Sequence, residues 1–252
     1  MKQGFLPAGR EEDMLYFDPL YFIVLLPTMA LSLWASWRVR STFQRWSQYQ
    51  NSRQMSGAEV ARLILDRSGC SQVAIEHVPG NLSDHYDPAA QTLRLSDDTY
   101  NSRSIAAAGV AAHEAGHAIQ DKVHYPMLRL RTSIVGFARI GSWASWILIG
   151  VGTTLMFYLH SPLGYYAMIG GVIFFSATVF FQLVTVPVEI NASSRAKEIL
   201  RQHGFASGAE IQGVEQVLNA AAWTYVAAAI GAVAQLLYFL LRLGLFSGST
   251  DD

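Results

Sequence analysis

The 252-residue sequence contains few charged residues and a single cysteine. Asp, Glu, Lys and Arg make up 15% of the chain, whereas an ordinary soluble domain has about 25%. The formal net charge is -1, so no excess of positive charge favours a nucleic-acid partner. Cys70 alone forms neither an internal disulfide nor a zinc site built from several cysteines. With 51% hydrophobic residues and a mean hydropathy of +0.23, the chain favours a membrane protein.

Four apolar runs are long enough to cross a hydrocarbon core of about 30 Å. They predict membrane-spanning helices at 15–37, at about 141–159, at about 165–188 and at 220–243. A five-residue turn at 160–164 separates the second and third runs, so 141–188 is predicted to form an antiparallel transmembrane hairpin. The lipid bilayer is therefore the first partner that the sequence implies.

The segment 38–140 has the pattern of a soluble part that contains two helices. Ser56, followed by Glu59 three residues later, matches a capping box and predicts a helix over 56–68. An alanine-rich stretch predicts a second helix from 105 to about 123. Its uncharged part is too short to cross a membrane, so we expect this helix to be buried in the soluble part.

Two short strands are predicted between these helices, at 73–78 and 92–95. A turn-rich loop at 79–91 joins them, and we expect a small β-hairpin. The strand at 92–95 could be an edge strand to which an extended peptide adds. The cluster Asp84-His85-Tyr86-Asp87 could then line a substrate cleft, and the alternative interpretation is an ordinary turn.

The motif HEAGH at 113–117 lies in the second half of the alanine-rich helix. Four residues are just over one helical turn, so His113 and His117 project from the same face. Two imidazoles at that separation can bind one tetrahedral Zn²⁺, with Glu114 beside the open position as general base. The alternative is a surface helix with two unrelated histidines.

A zinc hydrolase needs a third protein ligand, and Glu189 is the candidate that stands out by position. It follows directly after the apolar run that ends at 188, and the hairpin returns the chain to the side that it left. The alternative for Glu189 is a solvated flank of the span. Other candidates on the same side are His77, His85, His124, His203, Asp84 and Asp87.

The basic residues predict the orientation of the four spans. With the N-terminus outside, the segments 38–140 and 189–219 are cytoplasmic and contain 15 of the 18 Lys and Arg residues. We therefore expect a multi-pass protein of the plasma or inner membrane, with its active site on the cytoplasmic side. The predicted divisions are a tail (1–14), helix 1 (15–37), the soluble segment (38–140), the hairpin (141–188), a helical segment with the third ligand (189–219), helix 4 (220–243) and a tail (244–252).

Three motifs together resemble the bacterial YugP-type neutral zinc metallopeptidases: HEAGH at 113–117, VEINASSRA at 188–196 and DHYDP at 84–88. The family is similar to gluzincins, and the hairpin between the second and third ligands resembles the HtpX class of membrane proteases. The resemblance implies His113, His117 and Glu189 as zinc ligands and Glu114 as the base. Relatives often carry Asp where this chain has Ser193, so the groups that orient the histidines stay unassigned among Asn191, Ser193 and Ser194.

The predicted fold is a mainly α-helical membrane protein, with about four transmembrane helices and a cytoplasmic zincin-like part. The predicted function is that of a zinc-dependent endopeptidase, with a peptide or membrane protein as substrate; the oligomeric state is left open. One alternative is a zinc-stabilised scaffold without turnover. Another is a site-2-type intramembrane protease, which the absence of Asp from the later apolar runs disfavours.

The negatively charged oxygen of the tetrahedral intermediate would need a hydrogen-bond donor. Candidate donors are Tyr225, His203, His124 and His85.

Overall fold

The computed structural model describes residues 18–202, 204 and 208–245. The predicted tail at 1–14, the first three residues of predicted helix 1 (15–17), the predicted tail at 244–252 from residue 246 onwards, and His203 lie outside the described residues. Within the described part the chain forms seven helices and three strands. These are α1 (Pro19–Ser47), α2 (Gly57–Arg67), β1 (Ala74–His77), β2 (His85–Asp87), β3 (Thr92–Leu95), α3 (Asp97–Tyr100), α4 (Ile105–Lys122), α5 (Pro126–Phe157), α6 (Leu163–Gln202) and α7 (Ala209–Arg242).

Four of the described helices, α1, α5, α6 and α7, are long and apolar enough to cross a membrane. This confirms the mainly helical fold with four apolar helices, but α5, α6 and α7 are longer than the predicted spans. α6 contains Pro187 two residues before Glu189, yet the helix continues through Glu189 into its polar end. The polar ends of α6 and α7 present Ala196, Leu200, Val214 and Leu218 to the core of the soluble part. Burial of these side chains stabilises the extensions.

The small sheet has the strand order β1-β3-β2. The two predicted strands are neighbours, but they run parallel and do not form a hairpin with each other. The hairpin consists of β2 and β3, which pair antiparallel, and β2 arises from the predicted loop. Its carboxylates explain the difference: Asp87 pairs with Arg94 at 2.8 Å, and Asp84 accepts a hydrogen bond from the Ser96 amide at 2.8 Å.

The expectation that 92–95 is an edge strand is therefore wrong. β3 is the central strand of the sheet, and its Leu93 and Leu95 are fully buried. β1 and β2 each pair with β3 on one side only, so both are edge strands of the sheet. A peptide that adds to this sheet on the side of the candidate site would have to pair with β2.

The capping box is confirmed at the start of α2, where Ser56 and Glu59 bond each other's backbone N–H groups. α2, the sheet and α4 form one core with the polar ends of α1, α6 and α7. α4 is almost entirely buried, and its small residues permit close packing. Gly116 shows this most directly, because a Cβ atom there would lie 2.8 Å from the backbone oxygen of Ala192 on α6.

We predict that Gly116→Ala destabilises the protein. The added methyl group must push α4 away from the α6 backbone, and overpacking of this kind costs about 1–3 kcal/mol, more than the roughly 1 kcal/mol gained in helix propensity. Gly136→Ala is the matched control, since no atom lies within 4 Å of a Cβ there. Thermal unfolding in one detergent should give a lower midpoint for Gly116→Ala only. Equal midpoints for the two variants would contradict the close approach of α4 and α6.

Candidate metal centre

Two helices bring the predicted ligands together. α4 places His113 and His117 on one face, with ring centroids 4.8 Å apart, and α6 brings Glu189 against them. One carboxylate oxygen of Glu189, Oε2, lies 3.2 Å from Nε2 of His113 and 3.5 Å from Nε2 of His117. One potential ligand atom from each of the three residues lies within 4.8 Å of the others.

These separations suit a tetrahedral zinc ion. Zinc lies about 2.0–2.1 Å from imidazole nitrogen and carboxylate oxygen, so the ligand atoms of a regular tetrahedron are about 3.3 Å apart. The distances from Glu189 Oε2 to the two histidine nitrogens bracket that value. Two imidazoles and one carboxylate are also a donor set of catalytic zinc sites, which leave the fourth position open. The residues present therefore fit the metal.

A polar neighbour orients each imidazole. The Oγ atom of Ser193 lies 3.2 Å from Nδ1 of His113, and Oε1 of Gln120 lies 3.0 Å from Nδ1 of His117. With the proton on Nδ1, each ring donates to its neighbour and leaves Nε2 free for a metal. Of Asn191, Ser193 and Ser194, Ser193 is therefore the residue that contacts a histidine ring of the site.

Gln120 connects the two ligand-bearing helices. Its amide nitrogen donates to the backbone oxygen of Val188 at 2.9 Å and to Oδ1 of Asn191 at 2.9 Å, and its side chain is completely buried. Gln120 is not among the predicted site residues. The available signal was a glutamine three residues after a ligand histidine, on the same face of an otherwise small and apolar helix.

Arg131 on α5 binds the other oxygen of the third ligand. Its Nη1 atom donates to Oε1 of Glu189 at 2.9 Å, and Glu189 is only 2% exposed. A buried carboxylate is costly without a charged partner, and Arg131 supplies one. Nothing in the sequence distinguishes Arg131 from the nearby Arg129 and Arg139, so this contact could not be predicted.

Glu114 is buried beside the ligands and lines a cavity of about 260 Å³ with His117 and Glu189. Burial raises the pKa of the Glu114 carboxyl, and the two neighbouring histidines only partly counter this. For His117, burial lowers the pKa, but the carboxylates of Glu189 and Glu114 and the hydrogen bond to Gln120 together more than offset it, and the pKa is raised overall. A carboxylate made more basic by burial is suited to accept a proton in this cavity.

The remaining candidates divide by position. His85, Tyr225 and Asp84 line the cavity, which supports the cleft interpretation of the Asp84 cluster over the ordinary turn. His124 follows the end of α4, is exposed and has a φ of 53°, so it does not continue the ligand-bearing face. Two more candidates have partners elsewhere: Nε2 of His77 lies 2.6 Å from Oδ1 of Asp97 at the start of α3, and Asp87 forms an ion pair with Arg94.

The chain is similar to proteins described as zinc metallopeptidases and membrane proteases. A family model described as "Putative neutral zinc metallopeptidase" matches residues 21–244. The protein described as "Putative membrane protease YugP", from Bacillus subtilis (strain 168), is 45% identical over 223 residues, which cover 88% of this chain and 96% of that protein. No solved structure matches the chain.

We predict that Ser193→Ala weakens zinc binding by about tenfold or more, the usual effect of removing the group that orients a ligand histidine. Ser194→Ala is the matched control, because the Ser194 hydroxyl is exposed and bonds the Ile190 backbone oxygen instead. Competition with a chelator of known affinity gives both dissociation constants. Equal constants for the two variants would remove Ser193 from the site.

Proposed function

This chain belongs to the neutral zinc metallopeptidase family, and we propose that it is a membrane-bound zinc-dependent endopeptidase acting at or near the cytoplasmic membrane face. The observation that carries the proposal is the group of His113, His117 and Glu189, of which His117 and Glu189 line one cavity together with Glu114. Two imidazoles and one carboxylate supply three zinc ligands, and a second carboxylate is available as base.

His113, His117 and Glu189 would hold the ion through Nε2, Nε2 and Oε2. Zinc bound there supplies a water of near-neutral pKa and a polarised scissile carbonyl. Glu114 accepts the proton of the attacking water and returns it to the amine nitrogen that leaves. Ser193 and Gln120 hold the imidazole rings in the orientation that this requires.

The walls of the cavity provide the other groups that a peptidase needs. Tyr225, His85 and Arg131 are polar groups around it, and each can donate a hydrogen bond to the negative oxygen of the tetrahedral intermediate. The edge strand β2 borders the same cavity through His85 and Tyr86. An extended substrate can pair with the free backbone groups of β2, which fixes the peptide bond relative to Glu114.

The alternatives gain less support from the residues. A non-catalytic zinc scaffold has no use for Glu114, a buried carboxylate in the cavity beside the ligands. A site-2-type protease carries its histidines on a membrane span, whereas α4 is not among the four candidate spans of the described residues. The peptidase interpretation uses every buried polar group of the cavity.

We expect Glu114→Gln to retain zinc and to lose peptide cleavage, since the amide keeps the shape of the side chain but accepts no proton. Glu189→Ala is the companion variant and should lose both zinc and cleavage, because it removes a ligand. Metal content and hydrolysis of a peptide mixture measure the two properties separately. Full cleavage by Glu114→Gln would refute the proposed base, and an unchanged zinc content in Glu189→Ala would remove the third ligand.

The proposed orientation gives a separate prediction. In a Cys70→Ala background, a cysteine at Pro162 in the turn between α5 and α6 should react with an impermeant maleimide added outside intact cells. A cysteine at Arg45 should react only after the cells are opened, because the basic segments face the cytoplasm. Both positions are exposed. Protection of position 162 from the outside reagent would reverse the orientation.

A further inference from the structure

Measured along the axes of the long apolar helices, the candidate metal centre lies at about the same height as a pair of tryptophans. Tyr225 on α7 lines the same cavity as Glu189. Trp223 is two residues from Tyr225, about 3 Å along the helix axis, and its ring contacts Trp34 of α1 with centroids 5.7 Å apart. Both indoles are exposed. Exposed tryptophans near the ends of spanning helices are typical of the bilayer interface.

Two arginines bracket this level. On α1 the uncharged stretch 19–37 would span about 28 Å, close to the thickness of a hydrocarbon core. It ends at Arg38, whose guanidinium lies 5.1 Å from the Trp34 ring centroid and about 6 Å beyond Trp34 along the helix. On α5, the exposed Arg139 lies about 12 Å from Arg131 in the direction of the apolar run. Long basic side chains near the ends of spans reach towards the headgroups, so these two arginines favour a metal centre close to the headgroup layer.

The cavity has exposed lining residues on α5, and we call this side its mouth. α5 and α7 both pack against α6, and the cavity lies between them, with Glu189 at its base and β2 and α4 on its other side. Leu128, Arg131, Thr132 and Val135 form the α5 wall, at the spacing of one helical face. Thr132 and Val135 are exposed, and Val135 is one turn nearer the apolar run than Arg131. This wall therefore leads from the ligands towards lipid.

We propose that the cleft opens laterally into the headgroup layer, between α5 and α7, and that its substrate is a polypeptide segment lying in that layer, such as the juxtamembrane end of a membrane-anchored chain. The substrate class rests on the proposed peptidase function, whereas the position of the opening does not. A segment at this depth meets the apolar Val135 and Leu128 on one side and the polar edge of β2 on the other. Interfacial segments carry such mixed surfaces.

Spin labels test the position of the opening without any assay of activity. Three variants in the Cys70→Ala background each carry a single spin label. The label is at Val135 at the mouth, at Ala90 in the turn between β2 and β3, or at Phe180 on the apolar part of α6. All three positions are exposed. The full-length protein is placed in vesicles of equal parts phosphatidylethanolamine and phosphatidylglycerol. For each label we measure the ratio of its collision rate with oxygen to its collision rate with a water-soluble nickel chelate. This ratio increases with the depth of the label in the bilayer.

We expect the label at position 135 to give a ratio between those at 90 and 180, as a headgroup location requires. A ratio equal to that at position 90 would show that the mouth opens to water, and would overturn the proposal. A ratio equal to that at position 180 would place the mouth in hydrocarbon and would overturn it as well.

Three reporters test the substrate class. All three contain the same short linker of mixed sequence. In the first reporter the linker lies directly beside a single spanning helix, and in the second a rigid helical spacer holds it away from the bilayer. The third reporter lacks the spanning helix. We expect Glu114-dependent cleavage of the first reporter at least about tenfold faster than of the other two, because only there does the anchor raise the local concentration of the linker at the mouth. The Glu114→Gln variant supplies the background rate.

Equal cleavage of the spaced and juxtamembrane reporters would refute the substrate class while leaving the peptidase function intact. If no reporter shows Glu114-dependent cleavage, the peptidase function fails and the substrate class fails with it. The spin-label ratio still decides in that case where the cleft opens.

Discussion

The arrangement of this protein depends on one buried carboxylate, that of Glu189. An isolated charge at 2% exposure would cost several kcal/mol, so the groups that compensate it must be held in place. α4 supplies the two imidazoles, and α5 supplies Arg131. Three helices from different parts of the chain must therefore be correctly packed before this carboxylate is stable. The site forms only when the soluble part and the apolar helices have come together.

The continuity of α6 and α7 provides that coupling. Each helix runs from the apolar part directly into the core of the soluble part, so no flexible linker separates the two. The close approach of Gly116 to the α6 backbone and the bonds of Gln120 to Val188 and Asn191 fix the distance between α4 and α6. The positions of the ligands relative to the bilayer follow from this rigid connection, since a shift of α6 along its axis would move Glu189 away from the histidines.

The sequence predicts those features that depend on local spacing or on composition. The pair His113 and His117, the four apolar helices and the capping box at Ser56 follow from helical periodicity and residue type, and Glu189 follows from its place after an apolar run. Gln120 and Arg131 could not be predicted, because their roles depend on which helices meet. The strand β2 was missed because three residues in a turn-rich segment carry little pattern, and long-range pairs such as Asp87 with Arg94 define the strand.

The charges around the ligands also decide how Glu189 can bind a metal. Arg131 occupies Oε1, so only Oε2 faces the two histidines, and the carboxylate can offer a single oxygen. A one-oxygen carboxylate and two imidazoles leave the fourth tetrahedral position open for water. Ser193 contacts His113 through an uncharged hydroxyl. An Asp at this position would add another buried negative charge that would need a compensating partner. Glu189 and Glu114 are thus the two buried carboxylates beside the histidines, and we propose the first as the metal ligand and the second as the proton acceptor.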